Sequence, residues 1–311
     1  MQRLAKLGVP ATAVLVIAMF ISGVLTPDSY PGLPSTPYLT LLLTPIVRAA
    51  LFVTGTIAVG LILVGGFLSR RTDLLRIAMR NAAAFAVLAL LMIILTLANV
   101  MAVQPWQAFD FTIMTSFLTQ IDEGRYLLLQ VLFSGLAAWI LSRAQRVIEL
   151  MFAGGAMFIA VLLPSFTGHS TASVSHWIAS ATMLLHLGAM TIWIGGAVAL
   201  VFVRHDAEII TKFSPIAIGA YALLIVSGGA SLFARVSSWS DFFQDRYMWF
   251  VLAKMAVAVV LGILGFRHLR MVQTKFAGNA EALFQRTLAV EVSLMLVVIA
   301  LAVTLARMAN P

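Results

Sequence analysis

The chain has 311 residues, 61% of them hydrophobic and only 10% charged, where soluble domains carry about a quarter charged residues. Apolar runs of about 20 residues recur along it, which excludes a soluble globular domain, and their continuity excludes a β-barrel, whose strands alternate. With no cysteine, neither disulfides nor thiolate ligands are available, no aromatic-basic module serves nucleic acid despite the net charge of +8, and soft-metal chemistry rests on 15 Met and 5 His.

At the N-terminus, MQRLAKLGVP carries Arg3 and Lys6 ahead of an apolar run from about Ala11 to Leu25. The run resembles a signal peptide but lacks a small-x-small cleavage site, so it reads as an uncleaved first span. The Pro-rich loop from Pro27 to Pro37 has no Lys or Arg and belongs outside. A second span, about Pro45 to Leu68, holds Arg48 near its outer end, where a long side chain snorkels. SRRTDLLRIAMR follows as a basic inner loop, and a third span covers about Asn81 to Val103. Between Gln104 and Gly124, Phe109, Ile113, Phe117 and Ile121 recur every fourth position, as in a short amphipathic helix lying on the outer surface.

The fourth span, about Arg125 to Leu141, and the fifth, about Val147 to Leu163, flank an inner turn with Arg143 and Arg146. PSFTGHSTASVSHW is then a polar outer loop holding His169 and His176. Ser175 to Val203 is the sixth span, Phe213 to Phe233 the seventh, Tyr247 to Phe266 the eighth and Thr287 to Leu305 the ninth. Lys254 lies inside the eighth and Glu291 near the inner end of the ninth. His205 and His268 fall in basic inner turns and are expected to be solvated. Fourteen Lys and Arg fall in inner segments and four in outer ones, with Arg48 and Lys254 within spans. By the positive-inside rule the N-terminus is cytoplasmic and the C-terminus outside. The expectation is an all-α, polytopic bundle of about nine transmembrane helices. It divides into a four-helix segment, residues 1–145, and a five-helix domain, residues 146–311.

The sixth span carries the candidate chemistry. At about 100° per residue, with His176 at 0°, Met183 falls near −20°, Met190 near −40°, His186 near −80° and Trp193 near −100°. Two imidazoles and two thioethers thus share roughly one quadrant, a ligand set that suits copper and Cu(I) above all. His186 lies about 15 Å along the axis, and an ionisable group at that depth is a functional hypothesis by default. The bland alternative is a neutral imidazole bonded to a neighbouring helix. For the methionines it is gap-filling in an apolar core. Lys254 and Glu291 are candidate groups along a pathway. Glu291 is equally readable as an interfacial carboxylate paired with Arg286 or Arg267, and no salt bridge between Glu291 and Lys254 is expected. P-loop, GxSxG and HExxH motifs are absent, and no enzyme is expected. A haem b or quinone redox protein with His186 as axial ligand is the alternative from another class, and a structural assembly partner in a respiratory complex a third.

Gly168-His169, LLHLGAMTIWIGGAVAL at 184–200 with His186, Trp193, Gly195 and Gly196, Ser227-Gly228, the Tyr247–Lys254 stretch and the Arg286–Glu291 stretch occur in this order. In these features residues 166–311 resemble the copper resistance protein D family; the first 145 residues match in layout. Where that family has Asn-Arg near the end of the eighth span, this chain has Phe266-Arg267-His268. The resemblance implies copper handling across the bacterial cytoplasmic membrane. Copper would arrive from a small periplasmic copper-binding protein of the CopC type, or be delivered to a cuproenzyme beside a cytochrome oxidase assembly factor. It implies His169 and His186 as metal ligands; His176, Met183 and Met190 are added from their spacing. The expected route runs inward from His169 and His176 to His186, with Trp193 and Gly195-Gly196 shaping its continuation.

Overall fold

The computed structural model describes residues 2–23, 25–26, 34–166, 176–203, 206–235, 243, 246–273 and 280–306. Their regular elements are all helical. In chain order they are α1 (Gln2–Ile21), α2 (Tyr38–Ile62, continuing as a π-helical turn Leu63–Leu68), α3 (Thr72–Val100), α4 (Phe111–Gln120) and α5 (Asp122–Leu141). There follow α6 (Val147–Leu162), α7 (His176–Phe202), α8 (Ala207–Arg235), α9 (Arg246–Gln273) and α10 (Ala280–Leu305). Eight of these, all except α1 and α4, are long and apolar enough to cross a membrane. The protein is a polytopic membrane helix bundle. α1 supplies the ninth helix of the expected layout; it packs along α10, and its described apolar part, Thr12–Ile21, is shorter than the other spans.

The helices outrun their apolar cores, and this corrects several expected boundaries. The basic stretch after α2, expected as a loop, is a loop only at Ser69–Arg71, where Arg70 adopts φ 50°; Arg76 and Arg80 already belong to α3. α8, α9 and α10 likewise extend into the charged segments at their ends. Arg, Lys and Glu are good helix formers, so the backbone ladder continues into the headgroup region after the apolar run stops. α2 begins seven residues before Pro45, on the N-cap Pro37, and carries Pro45 in its second turn. There Thr40 and Thr44 hydroxyls donate to the carbonyls of Val103 and Thr40, at 2.9 and 2.7 Å, the kind of local satisfaction that lets membrane helices keep proline. The amphipathic segment between α3 and α5 forms α4, capped by Asp110, whose Oδ1 accepts from the Ile113 N–H at 2.9 Å. Of its four-residue repeat only Phe117 is buried, while Phe109, Ile113 and Ile121 stay exposed.

α7 is the most buried span, and α8 and α9 are the least. The core joins Leu187, Trp193, Ile194 and Val198 of α7 to Ala58, Leu61 and Ile62 of α2 and to Met295 and Ile299 of α10. What lets α7 pass so close to α2 is a pair of glycines. A Cβ on Gly60 would overlap the backbone of Gly195, and one on Gly195 would overlap the Thr56 carbonyl. Such close backbone approach is how membrane helices gain packing energy without a hydrophobic drive between them. At the end bearing Ser69–Arg71, Gly66 abuts Leu150 of α6. The α2–α3, α5–α6 and α7–α8 connections share that end, which is called the basic end below.

Candidate metal site

His186 is half-buried on α7 and turned toward α8. Its Nδ1 lies 3.2 Å from the Leu224 carbonyl oxygen and 3.2 Å from Ser227 Oγ. The Ser227 hydroxyl donates its own proton to the Leu223 carbonyl at 2.6 Å, so toward the imidazole its oxygen is an acceptor. Both of these partners accept, which places a proton on Nδ1. Gly228 makes the approach possible: a Cβ there would stand 3.1 Å from His186 Cε1 and 3.3 Å from Nδ1. An imidazole whose far nitrogen is anchored to a backbone carbonyl is the arrangement found behind metal-ligating histidines.

The other sequence-predicted residues are distributed unevenly around this ring. His169 lies outside the described residues, and of His176 only the backbone, the first residue of α7, is described. Met183 is half-buried one turn before His186. Met190, one turn after, is 6% exposed and part of the α7 core. Lys254 is half-buried on α9. Gly195 faces α2, and Gly196 leaves the space that the Phe213 ring occupies. Among the described residues no three His, Asp or Glu side chains converge as a metal cluster.

Trp193 lies two turns beyond His186 toward the basic end, about 10 Å along the axis. Its ring meets Tyr221 of α8 at 5.0 Å between centroids, tilted by 56°. The Tyr221 hydroxyl donates to the Ala258 carbonyl of α9 at 2.9 Å, and Gly262 leaves room for the phenol. On the far side of this aromatic pair opens a cavity of about 310 Å³, whose walls include Trp193, Phe213, Tyr221, Leu261, His268 and Glu291.

The floor of the cavity overturns two sequence expectations. His268, expected to be solvated in a basic turn, is 8% exposed, and Glu291 is 4% exposed. Glu291 pairs with His268, across from α9: His268 Nδ1 lies 2.7 Å from Glu291 Oε2. On the other side of the ring, Nε2 lies 2.6 Å from Thr287 Oγ1. α9 continues past Phe266 to Gln273, so His268 sits on a helical face packed against α10 and not in a turn. Thr287 and Glu291, four apart, lie on the matching face of α10. That i, i+4 pair of polar residues at the start of an apolar run was the available signal.

Two family models match the chain: copper resistance protein D-like, N-terminal domain, over residues 39–177, and copper resistance protein D, over residues 207–305. The chain is also similar to the copper transport protein CutJ of Bacillus subtilis, with 28% identity over 121 residues. That alignment covers 36% of this chain and 22% of CutJ, so the chain spans well under two thirds of that relative. No solved structure matches significantly. The paired family matches, which lie on either side of residues 178–206 and so flank His186, show that the chain belongs to the copper resistance protein D family.

Proposed function

We propose that the protein binds copper from the outer side of the bacterial cytoplasmic membrane and carries it across, or delivers it within, the bilayer. The observation that supports this most directly is the anchored imidazole of His186. Its Nδ1 faces the Leu224 carbonyl and Ser227 Oγ, an orientation of the kind that holds metal-ligating imidazoles in place, and neutral imidazole is a copper ligand. His169 and His176 are the capture residues at the mouth, a periplasmic copper-binding protein is the donor, and Met183 and Met190 are candidate thioether ligands beside His186. The C-terminal half, residues 146–311, carries the route. The N-terminal half, residues 1–145, braces it through the Gly60–Gly195 crossing. By the positive-inside rule the basic end is the cytoplasmic one, which puts His186 on the outer side of the Trp193–Tyr221 pair.

The test is copper uptake by proteoliposomes of the purified full-length protein under reducing conditions. Wild-type vesicles should accumulate Cu(I) well above protein-free vesicles, and His186→Ala should fall to that background. Wild-type uptake no faster than protein-free vesicles would sink the proposal.

A further inference from the structure

The His268–Glu291 pair is placed for a task that copper ligation at His186 leaves undone. Both residues lie within membrane spans, at the last residue of the α9 span and one turn into the α10 span. Both line the cavity that begins at Trp193. Buried ion pairs are poor stabilisers, because desolvation offsets most of the attraction and apolar residues of similar volume do as well. Ionisable groups kept inside a membrane domain instead mark ion and proton routes. Gly265 of α9 faces the carboxylate, and a Cβ there would stand 3.9 Å from Glu291 Oε1. Among the described residues, His268 is the basic group paired with Glu291.

The charge states of the pair then decide what the cavity can hold. With the imidazole protonated, the pair is neutral overall. With one proton gone, Glu291 leaves a net negative charge in a low-dielectric pocket, a state that is unfavourable unless a cation stands close by. A monovalent cargo ion arriving past Trp193 is such a cation. Glu291 is a weak ligand for it, because Cu(I) favours soft donors over carboxylate, and both nitrogens of His268 are already engaged. The carboxylate therefore acts as counter-charge, while the faces of Trp193, Phe213 and Tyr221 can stabilise a poorly hydrated cation.

We propose that His268 and Glu291 form a proton-exchange site that gives up one proton for each monovalent copper ion entering the cavity. This rests on the copper-carrying reading above. In the step, the Nε2 proton of the His268 imidazolium leaves as H⁺ toward the side from which copper came, the ring becomes neutral with Nδ1–H still donating to the ionised Glu291, Cu⁺ replaces the lost positive charge, and a proton from the other side restores the imidazolium when Cu⁺ departs. Besides the pair, Tyr221 is, among the described residues, the one titratable side chain lining the cavity, and its hydroxyl is given to Ala258. The described α7 side chains that line it, Trp193, Ala197 and Leu200, are not titratable. Arg267 and Arg270 of α9 point outward, Arg270 lying 4.7 Å over the Phe266 ring.

The experiment measures protons moved per copper in proteoliposomes of the full-length protein that carry an internal pH dye and receive Cu(I). Wild type should move on the order of one proton against each copper. Glu291→Gln should keep the wild-type gel-filtration profile and thermal unfolding midpoint, which certifies its fold, while its proton-to-copper ratio drops at least about five-fold. Glu291→Asp should recover most of that ratio. The inference is overturned if Glu291→Gln keeps the wild-type ratio, or if wild type moves copper without any counter-proton. Wild-type vesicles that take up no copper would remove the transport reading and this inference together.

Discussion

Gly228 and Gly229 are neighbours on α8, and replacing each by alanine isolates the contact with His186 from the general effect of removing a helical glycine. Both substitutions favour the helix, by roughly 1 kcal/mol where measured. Only one of them meets the imidazole. A Cβ at Gly229 has nothing within 4 Å, whereas a Cβ at Gly228 stands 3.1 Å from His186 Cε1. Restoring ordinary contact pushes the ring back by about 0.3–0.7 Å, which takes the 3.2 Å contact with the Leu224 carbonyl to or beyond the hydrogen-bonding limit. Loss of such an orienting bond typically costs about 10–100-fold in metal affinity. Gly228→Ala should therefore weaken Cu(I) binding by at least about ten-fold, or about 1.4 kcal/mol. Gly229→Ala should stay within about two-fold of wild type. A competition titration against a chromogenic Cu(I) chelator, on detergent-purified protein, reads both. Equal affinities for the two variants would refute the claim that α8 orients the ligand.

Two further outcomes follow from the packing. Gly195→Ala drives a methyl into the Thr56 carbonyl and should lower stability by about 1–3 kcal/mol in thermal unfolding, while Gly155→Ala, which meets nothing within 4 Å, should not. Gln130 is buried in α5 and donates from Nε2 to the Ala160 carbonyl of α6 at 2.9 Å. Gln130→Leu should cost roughly 0.6 kcal/mol and no more than about 1.7, the range for hydrogen bonds between membrane helices, as measured by unfolding in mixed micelles.

The bundle was legible in the sequence because each span is a run of apolar residues long enough to cross a bilayer, and such a run has few other stable fates. Helix ends were not, because charged residues such as Arg76, Arg80 and Arg270 continue a helix as readily as they form a loop. The amphipathic character of α4 was readable from its spacing. Its orientation was not: Phe111, at 88% exposure, shows that apolar residues at a membrane surface need no protein partner. Within the site, the depth of His186 could be counted along one helix. Its anchoring could not, since Leu224, Ser227 and Gly228 belong to another. The His268–Glu291 pair was hidden for the same reason, and more deeply. Arginines around both residues suggested solvent and local ion pairs, while the close packing of α9 on α10 buries one against the other. The stripe of His and Met on one face was correct arithmetic on a helical wheel. The fold then divides it, with Met190 in the core and His186 turned to α8.

Copper ligation by His186, as proposed, is tested by elemental analysis of the full-length protein and of His186→Ala, each loaded with Cu(I) in detergent and freed of unbound metal by gel filtration. The account predicts copper retained by the wild type and at least about a ten-fold loss in the variant, with both eluting as folded protein. Equal copper in the two would remove His186 from the site and contradict the account.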